Sequence, residues 1–176
     1  MINKILVAVD CQGNNNLVFE SAISLAKSTG ASLILLYVIS EHTVNDMLLP
    51  TYAYYPYPML DEDDRNVYKE KLEEYQKIGI DFLQTLANKA TAAGITTEYT
   101  QLIGNPGRTI CELASTWEAD LILVGSRGLK GLKEMFLGSV SNYVTHHARC
   151  SVLIVRDAVK QKTDPITQPA VATIDG

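Results

Sequence analysis

The chain has 176 residues, of which 47% are hydrophobic and 20% charged, and its formal net charge is −5 at pH 7. This length and apolar content suit one packed domain and exclude bulk disorder. The negative balance argues against general binding to nucleic acid or to an anionic membrane surface, because both need clustered positive charge.

Membrane insertion and secretion are not expected either. No apolar run approaches the roughly 20 residues that span a bilayer, and the first residues lead into a strand without a signal peptide. Cys11, Cys111 and Cys150 lie too far apart for a Cys-x-x-Cys motif or a zinc site. Their odd number favours a reducing cytoplasm. We expect the last two to be small core residues, whereas Cys11 is either another small residue or an exposed reactive thiol.

The first predicted elements are two buried strands with a helix between them. An apolar run over residues 5–9 ends at Asp10, and a second run covers residues 32–39. Neither run alternates with polar residues, which is typical of parallel strands covered on both faces. Between them, asparagine caps and apolar residues at three- and four-residue spacing predict a helix over 16–29 that stops at Gly30.

Residues 42–64 interrupt this pattern with prolines and a cluster of tyrosines, followed by an acidic run at 61–64. We interpret them as an irregular insertion that ends in a helix start, because acidic side chains suit the positive end of a helix dipole. The tyrosines could form a partner surface or a lid, or the segment could be a loop laid over the domain.

A long amphipathic helix is predicted next, with apolar residues from Tyr68 onwards and a stop at Gly94. The third strand, over 95–102, is more polar and is therefore expected near an edge of the sheet. Asn105 as a cap and Pro106 at the first helical position begin another helix. Its core face is expected to carry Ile110, Leu113, Ala114 and Trp117.

The remaining elements are a strand over 121–124, a helix from 138 to about 148, a strand over 152–155 and a polar tail over 157–176 that we expect to be loose. Strands alternating with helices predict one doubly wound α/β domain. Such sheets bind ligands beyond the carboxyl ends of their strands, where the strand order reverses. If the first and fourth strands are neighbours, Asp10 and Gly125 converge on one crevice.

The most informative motif begins where the fourth strand ends. Gly125-Ser126-Arg127-Gly128 is followed, after nine residues, by Gly138-Ser139-Val140-Ser141. Glycines let the backbone turn with positive φ and bring N–H groups close to a phosphate, and a helix start attracts anions. The serine hydroxyls can donate to the same oxygens, and Arg127 and Lys130 can pair with phosphate. We interpret the motif as a cradle for nucleotide phosphates; a plain strand–turn–helix connection capped by serine is the alternative.

At these residues the chain resembles the universal stress protein family. The resemblance covers nearly all of the expected domain, 1–156, and its ATP-binding branch carries the motif G-x2-G-x9-G-[S/T], which Gly125, Gly128, Gly138 and Ser139 match. It implies a Rossmann-like, five-stranded parallel sheet of order 3-2-1-4-5 with helices on both faces, as in adenine nucleotide alpha hydrolases.

The resemblance also implies how these residues share the ligand. Asp10 would accept hydrogen bonds from the ribose hydroxyls, and the main chain around Val38 would bind the adenine in a pocket lined by Ala8 and Val9. The loop from Gly125 to Gly131 would wrap the phosphates, which Ser139, Val140 and Ser141 would hold from the helix start. The family often has Gly-Ser after the aspartate, whereas Cys11-Gln12-Gly13 follows here, so contacts of that loop are not carried over.

The function that the resemblance implies is an adenine-nucleotide-binding stress-response or signalling module that acts through a protein partner. The ligand is ATP, ADP, AMP or a cyclic nucleotide, and Mg²⁺ can bind through the phosphates. Family members commonly form homodimers by pairing their fifth strands, here residues 151–156.

An enzyme of the same fold, with slow ATP hydrolysis or nucleotidyl transfer, is the alternative function. No catalytic set emerges: the chain lacks a G-x-S-x-G elbow, a Walker loop and a metal-ligand cluster. His146 and His147 are adjacent on a predicted helix and point about 100° apart, so they do not suit a shared metal. A receiver domain is disfavoured because the ends of the third and fifth strands lack its aspartate and lysine. A dinucleotide dehydrogenase is disfavoured because its glycine fingerprint belongs after the first strand and not the fourth.

Overall fold

A computed structural model describes residues 1–11, 16–41, 43, 62–126 and 137–156. Five parallel strands form one sheet with the order β3-β2-β1-β4-β5. They are β1 (Lys4–Val9), β2 (Ser32–Ser40), β3 (Thr97–Gly104), β4 (Leu121–Gly125) and β5 (Ser151–Val155). The predicted doubly wound sheet and its strand order are confirmed.

Helices cover both faces of the sheet. Those with described bounds are α1 (Asn16–Thr29), α2 (Glu62–Ala92), α3 (Pro106–Thr116) and α4 (Ser139–His147). One buried cluster joins α1 and α2 to alternate residues of the central strands, including Val7 and Leu35. A second cluster joins α3 and α4 to the intervening residues, including Leu6 and Ile34. The uninterrupted apolar strands follow from this arrangement, because successive side chains enter different cores.

The predicted core face of α3 is confirmed. Ile110 and Ala114 are buried, and Leu113 and Trp117 pack against the same cluster while half-buried. Asn105 caps the helix by accepting a hydrogen bond from the Arg108 N–H, with Pro106 in the first turn.

The end of α2 explains why β3 begins later than predicted. Gly94 has a φ of +82°, and its N–H donates to Thr91 while the Ile95 N–H donates to Ala90. These are the two hydrogen bonds of a Schellman motif. The Ile95 N–H therefore completes the helix, and the strand starts at Thr97 instead of residue 95.

The polar third strand lies at an edge of the sheet, as predicted. All of its residues are exposed or half-buried, whereas the neighbouring β2 is mostly buried. β5 forms the other edge, and its residue Leu153 is 39% exposed. Among the described residues, no helix is both long and apolar enough to cross a membrane.

A carboxylate at the amino edge holds β1 beside β4. Asp120 Oδ2 accepts hydrogen bonds from the main-chain N–H groups of Asn3 and Lys4 at 2.7 and 3.0 Å. These bonds keep the pKa of Asp120 below its usual value. The contact fixes the register of two strands whose opposite ends carry the candidate site.

Candidate functional site

The carboxyl ends of β1 and β4 bring two predicted site residues to one place. The strands pair with Ala8 opposite Val124, so Asp10 and Gly125 both follow directly from this register. Asp10 is half-buried, and its Oδ2 atom is enclosed by protein. The convergence expected for neighbouring first and fourth strands is thus present in the sheet.

One apolar wall of the site lies on the α3 and α4 face of the sheet. Ala8, Val38 and Val140 come from β1, β2 and α4, and all three pack, half-buried, against the same core cluster. Val9 does not share this wall, because its side chain is 6% exposed and belongs to the cluster on the opposite face. Because side chains alternate along a strand, only the main chain of Val9 can contact a ligand on this face.

In the described part of the site, the N-terminus of α4 is the group best suited to bind an anion. Gly138 is the N-cap, and no side chain caps the helix. The first helical hydrogen bond runs from Asn142 N to Gly138 O at 2.9 Å. The N–H groups of residues 139–141 precede that bond and have no acceptor within the helix. The positive end of the helix dipole adds to their attraction for an anion.

The hydroxyl groups of the two predicted serine donors lie in different surroundings. Ser139 is exposed, which leaves its hydroxyl at the surface of the helix start. Ser141 is only 1% exposed, and its hydroxyl donates to the Gly138 carbonyl at 3.0 Å. In this structure Ser141 therefore faces the site with its main-chain N–H and stabilises the helix start with its side chain.

The motif glycines at both described positions lack the positive φ that the sequence suggested. Gly138 has φ −58° and ψ 156°, and Gly125 is absent from the positive-φ glycines of the described chain. The need for glycine at position 125 is explained by close packing, because a Cβ there would lie 3.1 Å from Val18 Cγ2 of α1. Beyond it, the Ser126 N–H donates to the Val155 carbonyl of β5 at 2.8 Å.

Four predicted phosphate-loop residues, Arg127, Gly128, Lys130 and Gly131, lie outside the described residues. So do most of the 42–64 insertion and the tail over 157–176. No group of three or more metal-ligating side chains occurs among the residues that the structure does describe.

A polar contact beside the site escaped the sequence analysis. Tyr37 of β2 interrupts a strand of apolar residues and lies opposite Val9. Its hydroxyl is 3.4 Å from that of Tyr75 in α2. Burial, together with the neighbouring Cys11 and Tyr75 side chains, raises the pKa of the Tyr37 phenol above its usual range. The one hydroxyl inside the otherwise apolar run 33–39 was the available signal.

All three cysteines are half-buried and pack against the edges of the core clusters. Cys111 and Cys150 pack against the α3 and α4 cluster, and burial raises the pKa of both thiols. Cys11 packs against the other cluster and is half-buried. It contacts Tyr37 and is not a fully exposed thiol.

Sequence comparison places these features in a known group. The profile of the universal stress protein family matches residues 1–156. A universal stress protein of Synechocystis sp. is 39% identical over 153 residues, which cover 87% of this chain and 97% of the relative. A universal stress protein of Bacillus subtilis is 38% identical over 156 residues, covering 89% of this chain and 100% of the relative.

Solved structures of the same group share the fold. Universal stress protein UspA from Lactobacillus plantarum has a TM-score of 0.61 and 26% identity, with 88% of this chain and 98% of that chain covered. A universal stress protein in complex with cAMP has a TM-score of 0.56 and 25% identity, with coverages of 88% and 97%.

Proposed function

Because this chain belongs to the universal stress protein family, we propose that it binds an adenine nucleotide at the carboxyl edge of β1, β2 and β4. The nucleotide would lie on the α3 and α4 face of the sheet. The observation that carries the proposal is the start of α4, where three N–H groups and no capping side chain stand at the same edge as Asp10.

The chemistry of the described residues fits the parts of such a ligand. A phosphate is a suitable acceptor for the N–H groups of residues 139–141. The half-buried carboxylate of Asp10 suits ribose hydroxyls, which donate hydrogen bonds. Ala8, Val38 and Val140 form an apolar surface for a base, and the main chain of β2 ends beside it. The related protein that was solved with cAMP supports an adenine nucleotide as the ligand class.

Three finer points belong to the same proposal. The nucleotide is ATP or AMP, with Mg²⁺ held through the phosphates where several are present. The chain acts in the cytoplasm as a binding module for stress response or signalling, with ligand-dependent binding of a protein partner, and not as an enzyme. Arg127, Gly128, Lys130 and Gly131 complete the phosphate contacts.

We further propose that two copies pair through β5. This edge strand carries the exposed Leu153, and unpaired edges are protected in most proteins. Analytical ultracentrifugation of the wild type and of Leu153→Lys tests the proposal. A dimer that the charged variant converts to a monomer supports it, and a wild-type monomer at all concentrations refutes it.

The binding experiment is a calorimetric titration of nucleotide-stripped protein with ATP and with AMP, each with and without Mg²⁺. Gly138→Asp is titrated in parallel. The φ and ψ of Gly138 are open to any residue, so the variant adds a carboxylate at the helix start without forcing the backbone. Phosphate release in the same samples measures hydrolysis.

Binding by the wild type that is lost in Gly138→Asp is the expected result. An unchanged dissociation constant in the variant would place the phosphates elsewhere. A wild type that binds neither nucleotide at millimolar concentration would refute the proposal, and protein-dependent phosphate release would show an enzyme.

A further inference from the structure

The two halves of α2 pack differently. The second half buries four residues in the core cluster that it shares with the sheet, namely Leu83, Leu86, Ala87 and Ala90. In the first half, none of the side chains that the structure describes between residue 66 and Gly79 is buried. The helix therefore continues for several turns without a fully buried side chain.

The apolar pattern of α2 nevertheless runs through both halves. Tyr68 and Leu72 are half-buried. Their spacing from Gly79 and Leu83 follows steps of four and seven residues, which places all four on one line along the helix. The line that is buried in the second half thus continues as a half-buried line in the first.

Two more apolar side chains widen this line. Val67 and Ile78 lie about three turns apart on one flank of it, and they are 50% and 54% exposed. Lys69 and Glu73 lie on the other flank, where they form an exposed ion pair at 3.8 Å. The first half of α2 therefore has an apolar surface beside a solvated one. We call Val67, Tyr68, Leu72 and Ile78 the α2 stripe.

A helix gains most of its stability in a protein by packing such a surface against a partner, and short helices without packing are marginal in water. The α2 stripe extends beyond the part of the helix that the sheet covers. The first turns of α2 therefore need a partner that the sheet does not provide.

The chain that leaves β2 starts beside this stripe. Gly79 lies over Tyr37, because a Cβ there would be 2.7 Å from the tyrosine ring. Ser40 follows Tyr37 by about 10 Å of strand, which equals about six or seven residues of helix. Because α2 runs antiparallel to β2, Ser40 is about level with Leu72. The Thr43 N–H donates to Ser40 Oγ at 3.1 Å, so the chain is still at this level at residue 43.

Residues 44–61 join this point to the first residue of α2. Glu62 lies about 15 Å beyond Leu72 along the helix, whereas a segment of this length reaches about 60 Å when fully extended. The segment is thus long enough to lie along the α2 stripe. Its composition suits that surface, because it contains four tyrosines, three leucines and two methionines, and Asp46 and Asp61 are its only charged residues.

We propose that residues 44–61 pack against the α2 stripe, and that the segment and the helix together form an arm beyond the carboxyl edge of the sheet. The covalent connection favours this occupant, because a short tether gives an effective concentration of about millimolar, well above that of a second copy in dilute solution. The tyrosines are then contacts within the chain. The inference is independent of nucleotide binding.

Limited proteolysis of the full chain tests the proposal. Chymotrypsin cleaves after tyrosine and leucine, and mass spectrometry gives the rate of cleavage within residues 44–61. The rate is compared between the wild type and Leu72→Gln. Glu70→Gln is the matched control, because Glu70 is exposed, lies on the side of the helix away from the stripe and receives the same new side chain. Leu72→Met keeps an apolar side chain on the stripe. Thermal midpoints and sedimentation velocity are measured for each variant.

We expect cleavage within the segment to be about five- to tenfold faster in Leu72→Gln, the ratio that corresponds to partial burial of one leucine. Glu70→Gln and Leu72→Met should stay within about twofold of the wild type, because both leave the apolar contact in place. Sedimentation should be the same for all four proteins.

A reciprocal variant removes the contact from the segment. In Tyr52→Ser/Tyr54→Ser/Tyr55→Ser/Tyr57→Ser, the amide hydrogens of residues 66–78 should exchange at least about fivefold faster, whereas those of residues 83–90 should keep their wild-type rates. The second half of α2 is buried against the sheet and serves as the internal reference.

Four results would overturn the inference. The first is cleavage of Leu72→Gln at the wild-type rate, and the second is equal acceleration in Glu70→Gln, which would show general loosening. The third is acceleration together with dissociation of a dimer, which would assign the α2 stripe to a second copy. The fourth is unchanged exchange of residues 66–78 in the reciprocal variant.

Discussion

The two helices on the ligand face begin at the same edge of the sheet, but their first turns differ in chemistry. In α3, Asn105 accepts a hydrogen bond from the Arg108 N–H at 3.2 Å, and Pro106 has no N–H. The first turn of α3 thus leaves only the N–H of Gly107 without a partner in the helix. In α4 the cap is Gly138, which has no side chain, and three N–H groups are left.

This difference shows how one fold separates stability from binding. A side-chain cap satisfies the orphan donors of a helix and stabilises it by about 1 kcal/mol. A glycine cap costs only about a few tenths of a kcal/mol by comparison, and it leaves the donors for an external anion. The first four N–H groups of a helix can therefore be bonded by a side-chain cap or left for a ligand. Substitutions at the cap should convert one kind of helix start into the other.

The largest expected effect comes from building the start of α3 onto α4. In the double variant Gly138→Asn/Ser139→Pro, an amide caps the helix and one N–H is removed. Gly138 already has φ −58° and ψ 156°, the conformation that a residue before proline prefers. We expect nucleotide affinity to fall by at least about 100-fold, because two charge-assisted hydrogen bonds of about 1.5 kcal/mol or more each are lost. Calorimetric titration measures it, and a thermal midpoint at or above that of the wild type controls for folding.

The next effect concerns the contact between the two helices. Gly107→Ala would place a Cβ 2.8 Å from Tyr143 Cδ1 and 2.9 Å from Tyr143 Cβ and Cγ. We expect the free energy of unfolding to fall by about 1–3 kcal/mol, as for other overpacked sites. Urea unfolding measures the loss, and the double variant Gly107→Ala/Tyr143→Ala should recover part of it. A lone alanine that stabilises the protein, as helix propensity alone predicts, would contradict the packing argument.

A smaller effect is expected at the cap of α3. Asn105→Ala leaves the Arg108 N–H without its acceptor and should lower the free energy of unfolding by about 1 kcal/mol. Asn105→Asp keeps the acceptor and serves as the matched control. Nucleotide affinity should change less than about twofold in both, because the Asn105 side chain bonds its own helix and not a ligand. A large loss of affinity would show that α3 also takes part in binding.

The smallest effect is expected from the ion pair that follows the cap. Arg108 Nε lies 2.6 Å from Glu112 Oε1, with both side chains largely exposed. Exposed pairs at this spacing contribute little in salt solution. Glu112→Gln should leave the thermal midpoint unchanged at physiological ionic strength, and a clear drop there would show that charge, and not the Asn105 cap, organises this helix start.

The elements of the fold were predictable because their signals are local. Buried strands appear as apolar runs, and α3 carries its cap, proline and core face within the short stretch 105–117. Strand order is not local, since it depends on which strands the crossovers bring together, and here it came from the family resemblance. The start of β3 was predicted two residues too early, because the Ile95 N–H donates to Ala90 in the Schellman motif that ends α2.

The candidate site was predictable in residue type more than in direction. The motif located the helix start at Gly138 and the strand end at Gly125. It did not show that Val9 faces the other core or that the Ser141 hydroxyl turns inward. Those outcomes depend on pleat and packing, which a motif does not encode. The contact between Tyr37 and Tyr75 joins residues 38 positions apart, a separation that no local pattern reveals.

The length of α2 has a mechanical consequence. Its 31 residues span about 46 Å at 1.5 Å per residue, whereas an eight-residue strand spans about 26 Å. The chain just after its last turn is joined to the amino edge of the sheet, where the Leu33 N–H donates to the Thr96 carbonyl, and Tyr75 meets Tyr37 near the other edge. The turns before Tyr75 extend about 20 Å further. A tilt of the helix by about 5° about the tyrosine pair would displace its first residue by about 2 Å.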